Sequence, residues 1–546
     1  MVVARPRRLA LGRSQPEPRF IAALLIAACL AAPARSRAQP DLEGLPVQRV
    51  EILARDIYDP APHGRLAAFY RLANRLHART RTSTVRAHLL FAPGTPWSEA
   101  RAEETLRNLR ELNFLDPRSI VARREGDSVV VAVVTRDAWT TSPEFNIEST
   151  GGQRYGSFAF TERNLLGLGQ SVSISYNDDP TGISRRFSFS DPSVLGSRLR
   201  VDAGAGTGSA GATHRLYAGV PFYAEDARHS YFVRWSRETS VARLFQRASE
   251  TASLDRRVEE TQVARGVGMR RGDRVLRLVG SFLVHDRRLG PSRVQATTPE
   301  EFDGGEENLR LRRLSGTVSV WRPRFIQREG IEKIGVVEDF DVGHAVATTF
   351  GFSPEFLGGT ADEGYVRLDA HAGVETPAGF GLLSGMIQSR IRSRPVEVMR
   401  DLHARWVSPV TRDGVLVLAA RGAWQSRVPR DGQLVVGGLT GLRAYPVQAL
   451  AGRQLWRLNA ENRWTLRRDL LDVASLGAAA FYDAARAWGP GAEGTSWFES
   501  AGVGLRVALP HSALNQVVRF DFAWPLSPSS DGHRAMVLSF GSSQAF

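Results

Sequence analysis

The chain has 546 residues, 42% hydrophobic and 23% charged, a balance that excludes both a disordered chain and a bundle of membrane helices. A single cysteine excludes a disulfide framework and any cysteine-based zinc or iron–sulfur centre. Lysine plus arginine outnumber aspartate plus glutamate by 71 to 57, a formal charge of +14; every lysine or arginine except Lys333 is arginine, a bias that reflects GC-rich coding rather than a site.

Residues 1–38 carry part of that charge. Arg5, Arg7, Arg8, Arg13 and Arg19 precede an apolar run from Phe20 to Ala32, and Ser36-Arg37-Ala38 follows. A basic stretch, a short apolar core and small residues before a cut make a secretory signal peptide. The 13 apolar residues fall short of the roughly 20 that a spanning helix needs. Cleavage after Ala38 removes Cys29, whereas Ile26-Ala27-Ala28-Cys29 also fits a lipoprotein box that would keep it. Export, with no basic helix or basic–aromatic stripe, argues against nucleic-acid binding. No later stretch offers about 18 uninterrupted apolar residues.

Residues 39–138 have a mixed pattern that predicts one small α+β domain. Val47, Val50, Ile52 and Leu53 read as a strand; Leu66, Phe69, Tyr70, Ala73 and Leu76 recur at helical spacing. Val85 to Phe91 reads as extended, ending at Pro93-Gly94. Ser98 caps a second helix with Ala102, Leu106, Leu109 and Leu112 on its apolar face. A hairpin turning at Glu125-Gly126-Asp127 closes the unit.

Residues 139–546 change character: short alternating segments between turns replace helices. Val172, Ile174 and Tyr176 alternate with serines, and Tyr231, Val233 and Trp235 with Phe232 and Arg234. Val518, Phe520, Phe522 and Trp524 fall on one face, with Val517, Arg519, Asp521 and Ala523 on the other. A soluble sandwich would turn the apolar face inward. Export, about 25 residues per strand plus connection, and a terminal aromatic instead predict an antiparallel transmembrane β-barrel of about 16 strands, lipid outside and wet lumen inside. Phe540 and the final Phe546 carry the C-terminal barrel signal, on one face with Met536 and Leu538.

These residues resemble the bacterial surface antigen family, within the BamA/TamA superfamily of outer-membrane assembly and translocation proteins. The small domain is similar to a single POTRA domain, through Pro93-Gly94 and Leu109-Arg110-Glu111-Leu112-Asn113-Phe114. Glu162-Arg163-Asn164-Leu165-Leu166-Gly167-Leu168-Gly169 resembles the element that opens the family's barrel, and Asp191-Pro192 with Leu195-Gly196 is also similar. Gly437 to Tyr445 contains Leu442-Arg443-Ala444-Tyr445, similar to the V-R-G-[FY] motif of a loop folded into the lumen. The resemblance implies that Arg443 meets inner-wall carboxylates at the positions of Glu461 and Asp483. A guanidinium in a partly desolvated lumen needs such partners. Ala444 and Ala485 stand where the family has glycine; a positive φ at 444 would strain alanine by about 1 kcal/mol or more.

The resemblance implies an outer-membrane barrel of a Gram-negative bacterium, with the small domain in the periplasm. It inserts or translocates unfolded outer-membrane or secreted clients, received by β-augmentation. Outer-membrane lipids and lipopolysaccharide, and accessory lipoproteins, are the other expected partners. A seam between strands around Phe145 to Phe160 and Arg534 to Phe546 is implied, weakened by Gly541, Ser542 and Ser543. Alternatives are a passive pore, a lipid transporter without protein clients, and a soluble exported enzyme.

Other motifs carry nothing. Gly206-Thr207-Gly208-Ser209-Ala210-Gly211 precedes a strand rather than a helix, and so reads as a hairpin loop. The histidines lack zinc-helix spacing, and Glu300, Glu301, Asp303, Glu306 and Glu307 read as solvated loop residues rather than a calcium site. No catalytic residue, metal or cofactor is expected.

Overall fold

A computed structural model of the chain describes residues 42–58, 66–150, 153–179, 182–246, 248–296, 298–411, 414–438, 440–471, 473–490, 492, 496–512, 517–528 and 535–542. Residues 1–38, read above as a signal peptide, together with Ser543 and Phe546 lie outside the described residues.

The N-terminal module runs β1 (Val47–Arg55), α1 (Ala67–Leu76), α2 (Thr82–His88), α3 (Glu99–Glu111), β2 (Leu115–Glu125) and β3 (Ser128–Asp137). Its sheet has the order β1-β3-β2, with β1 parallel and β2 antiparallel to β3. Val47, Val50, Val129, Val131 and Val133 alternate toward Phe91, Trp97 and Leu109 on the helical side. The segment read as extended from Val85 is instead helical through His88. A short apolar run does not distinguish strand from helix; here Val85 and Leu89, four residues apart, both reach the core. Ser98 stands at the start of α3 with extended backbone, but its side chain makes no capping bond; the Glu99 N–H donates to Glu43 Oε2 at 3.0 Å.

The barrel begins with β4 (Thr141–Thr150), β5 (Gln153–Leu165), β6 (Gln170–Asp179), β7 (Gly182–Asp191), β8 (Arg200–Gly208) and β9 (Gly211–Val220). It continues with β10 (His229–Gln246), β11 (Ser249–Arg271), β12 (Arg274–Leu289), the two-residue β13 (Arg293–Val294) and β14 (Glu307–Arg322). A separate hairpin, β15 (Phe325–Glu329) and β16 (Val337–Asp341), interrupts it. The wall resumes as β17 (His344–Ser353), β18 (Glu363–Thr376), β19 (Gly379–Ile391), β20 (Pro395–Val407) and β21 (Val415–Ser426). A second small hairpin, β22 (Leu434–Val436) and β23 (Leu450–Gly452), precedes β24 (Gln454–Leu470), β25 (Ala474–Trp488), β26 (Phe498–Ala508), β27 (Val517–Pro525) and β28 (Val537–Ser542).

Setting β13 aside, 20 strands form the closed wall among the described residues, not about 16. The reason is turn length. The pairs Gly208↔Gly211, Arg271↔Arg274 and Thr376↔Gly379 each close a two-residue turn, which shortens the repeat. The glycine-rich 206–211 segment is the β8–β9 hairpin. Side chains follow the period of two: Phe520, Phe522 and Trp524 are outward and exposed, while Arg519 and Asp521 are inward and buried. Wall side chains fill the interior at about 8 strands, whereas 16–18 leave a channel. Twenty strands therefore enclose space that loops must occupy.

Among the described residues, strand β28 closes on β4 through Leu538↔Ser149, Ser539↔Glu148 and Phe540↔Ile147. The first strand is thus Thr141–Thr150, Phe145 to Phe160 being the first hairpin, and the last is Val537–Ser542. Phe540 lies against Phe520, ring centroids 4.8 Å apart. Pairing with β4 stops before Gly541, although β27 still pairs there through Arg519↔Gly541.

Candidate functional site inside the barrel

Below, the near end of the barrel is the one that meets the N-terminal module. At the far end, residues 427–453 connect β21 to β24 and fold back into the lumen. The root of this loop is pinned by Arg430, which donates to Ser292 Oγ (2.7 Å), to the carbonyls of Gly304 (2.6 Å) and Gly290 (3.2 Å), and to that of Gly305. Gln433 exchanges two hydrogen bonds with the backbone of Phe245.

The tip turns at Gly438 (φ 51°) and Gly441 (φ 108°), where positive φ is cheap only for glycine. Ala444 does not take a positive φ, so alanine meets no strain there. Ala444 and Ala485 are both buried in the apolar cluster beneath the tip, with Leu442 and Tyr445. The Tyr445 hydroxyl lies 2.8 Å from the carbonyls of both Glu499 and Ser527. From the wall, Arg457 donates to the Thr440 carbonyl at 2.6 Å and Asn459 to the Gly441 carbonyl at 2.9 Å.

These contacts deliver Arg443 to the inner wall. Its Nη1 donates to Glu461 Oε2 at 2.6 Å, its Nη2 to Asp483 Oδ1 at 2.8 Å and its Nε to Asp483 Oδ2 at 2.9 Å. The pair with Asp483 is a fork-to-fork match that lysine could not reproduce. The guanidinium also lies over the Phe481 ring at 3.3 Å. All three ionic side chains are fully buried.

Asp521 completes the cluster, 3.5 Å from Arg443 Nη1 and 2.6 Å from Arg506 Nη1; Arg519 lies at 3.2 Å and Arg463 holds Glu461 at 2.9 Å. Alternation alone puts Arg519 and Asp521 on the luminal face, but their meeting with Arg443 depends on strand register. Four arginines and three carboxylates are thus desolvated together. Such a group is stable only while every partner is present; removing one leaves an uncompensated charge.

A second obstruction rises from the near end. The β15–β16 hairpin and its tip, residues 330–336, fold against inward-facing wall residues. Ile331 packs with Phe380, Val407, Val415 and Val417, and Ile334 with Ala508 and Val517. Glu338 sits inside this turn and accepts the N–H groups of Ile331 and Glu332, both at 3.0 Å. Burial pushes its carboxyl up to about 7, with the Glu332 charge adding to the rise. Arg463 joins the two obstructions: its Nη1 donates to the Ile331 carbonyl at 2.8 Å while its Nε holds Glu461, the partner of Arg443.

The N-terminal module lies against the near-end turns. The 162–169 element is the socket: Asn164 Nδ2 donates to Thr80 Oγ1 at 2.8 Å, and the Gly167 carbonyl accepts from Arg81 N–H and Thr84 Oγ1, both at 3.0 Å. A Cβ on Gly167 would stand 2.3 Å from the Arg79 carbonyl oxygen, so only glycine fits. Helix α3 adds Arg107–Glu225 at 2.9 Å and the bidentate pair Arg110–Asp339 at 2.6 and 2.8 Å, the latter gripping the hairpin itself. Among the described residues no group of three or more His, Cys, Asp or Glu is placed to hold a metal ion.

Solved structures are similar to this chain at low identity. CdiB from Escherichia coli is 13% identical with a TM-score of 0.47, covering 91% of this chain and 76% of its own. BamA from Haemophilus ducreyi lacking POTRA domains 1–3 is 12% identical, TM-score 0.41, covering 91% and 84%. CdiB from Acinetobacter baumannii is 11% identical, TM-score 0.41, covering 91% and 74%. No curated protein matches the chain in sequence. The family model that matches is the Omp85 superfamily domain, over residues 400–546, the stretch that holds the loop, Arg443 and all its carboxylate partners. Residues 400–546 are thus similar to an Omp85 superfamily domain.

Proposed function

We propose that this chain is an outer-membrane barrel that inserts unfolded client proteins into, or passes them across, the outer membrane of a Gram-negative bacterium. The N-terminal module is its periplasmic, POTRA-like receiver, and residues 1–38 are its export signal. The observation that carries this reading is the loop held in the lumen by Arg443, Glu461 and Asp483 inside a matched Omp85 superfamily domain. A passive pore has no use for a wide lumen obstructed from both ends. Strands β1 and β2 are the edges of the module's sheet, where an extended client could add by main-chain hydrogen bonds, with no particular side-chain sequence needed. The short β28–β4 pairing is the weakest place in the wall and the natural exit toward lipid.

The test is a quantitative proteome of outer membrane and culture medium after depletion of the protein. Loss of one secreted or surface protein marks a dedicated transporter, and a broad fall in barrel proteins marks general assembly. Unchanged protein levels with altered membrane lipid would replace this reading with lipid transport.

A further inference from the structure

Three near-end turns hold a leucine in an unusual state. Leu166, Leu195 and Leu471 have φ of 54°, 53° and 55°, the left-handed region that side chains with a Cβ avoid. All three are exposed, Leu195 completely. Turns that need positive φ in water ordinarily use glycine or asparagine. Each leucine here carries backbone strain and leaves its apolar side chain uncovered by protein.

Helix α1 continues the same surface. One face of it, Tyr70 and Ala73, packs on Ile57 and Tyr58. The adjoining face presents Phe69, Leu72 and Leu76, spaced i, i+3 and i+7 and about half or more exposed. Beside them Arg71 and Arg75 are exposed. The helix is fixed to the barrel at one of the strained turns, where the Tyr70 hydroxyl donates to the Leu471 carbonyl.

From this geometry we infer that the near rim bears a lipid-anchoring collar, formed by Leu166, Leu195, Leu471 and the Phe69–Leu72–Leu76 face of α1, which sits in the headgroup–acyl boundary of the bilayer leaflet at that end. The inference rests on the membrane-barrel reading. The occupant is phospholipid for two reasons. Each leucine follows a wall strand with exposed apolar side chains, Phe158 and Phe160 before Leu166, Ile183 and Phe187 before Leu195, Leu458 and Leu466 before Leu471. Arg71 and Arg75 lie beside the helix face as cations border the apolar side of interfacial helices, where lipid phosphates pair with them. In lipid, the leucines are covered and the strain that projects them is offset. The collar also fixes how deep the barrel sits and keeps α1 level with the membrane surface.

The test uses the full chain in phosphatidylethanolamine–phosphatidylglycerol proteoliposomes. Cys29 is replaced by serine, and a nitroxide is placed by Leu72→Cys, Leu195→Cys, Leu471→Cys, Arg75→Cys or Val503→Cys. Collision with dissolved oxygen and with a water-soluble nickel chelate is then compared. Oxygen should exceed nickel several-fold at 72, 195 and 471, with the order reversed at 75. Nickel access at 72 and 471 equal to that at 75 overturns the collar, as does protection from both reagents, which would mean a protein surface covers it. Val503, on the outward wall, separates the two readings: nickel access there would mean that the barrel itself is not in lipid.

Discussion

Arg443 is a residue whose removal should cost more than its contacts are worth. Arg443→Ala leaves Glu461 and Asp483 buried with fewer cations, a change of about 3–5 kcal/mol in comparable buried pairs. We expect the loop to leave the lumen, read as higher single-channel conductance in planar bilayers and earlier loss of the heat-modifiable folded band. Arg443→Lys should fall between, because an ammonium keeps the charge but loses the fork that matches Asp483. Wild-type conductance and migration in both variants would show that the cluster does not hold the loop. The resemblance of the loop motif was enough to single out Arg443, Glu461 and Asp483 in the sequence. It gave no access to Asp521 or Arg506, which arrive from strands set by register, nor to the reason Ala444 is tolerated. That reason is local: Gly438 and Gly441 absorb the positive φ, so the next positions need none.

The β15–β16 hairpin is the element whose behaviour is easiest to follow, because its tip carries Lys333, the only lysine of the chain. Arg463→Ala removes the bond to the Ile331 carbonyl, and Ile331→Ala removes apolar contact worth about 2–5 kcal/mol in buried sites. Either should raise acylation of Lys333 by an amine-reactive reagent several-fold in membranes; unchanged labelling in both would mean that the hairpin is seated by something else. Its seating should also depend on pH. Burial favours the protonated Glu338 carboxyl, raised from 4.5 to about 7. A raised carboxyl contributes stability that is fully present below 4.5 and declines as pH rises through 7. Relative to Glu338→Gln at the same pH, Lys333 labelling of the wild type should therefore climb between pH 5 and 8. Apart from Lys333, no feature of the hairpin stands out in the sequence. Helix α2 was misread because seven residues with Val85 among them fit either period.

At the scale of the molecule, the module and barrel meet at residues far apart in sequence, so that interface can be tested without touching the lumen. Asn164→Ala removes the hydrogen bonds to Thr80 Oγ1 and from the Gly169 N–H, a loss of about 1–3 kcal/mol. Faster amide exchange in α2, with unchanged exchange in β24 and β25, is the expected result; equal change in both would mean that the barrel had loosened as a whole.

The sequence by itself determined the alternation of apolar and charged residues, and with it an all-β wall with a polar interior. It also determined the α+β module, because periods are local, and the resemblance of its loop motif pointed to Arg443 and two carboxylates. The tertiary structure decided the number of strands, since turn length cannot be read from a repeat averaged over the chain. It alone decided the identity of the second obstruction and the linkage Arg443–Glu461–Arg463–Ile331, because those contacts exist only once 20 strands are in register and the space they enclose must be filled.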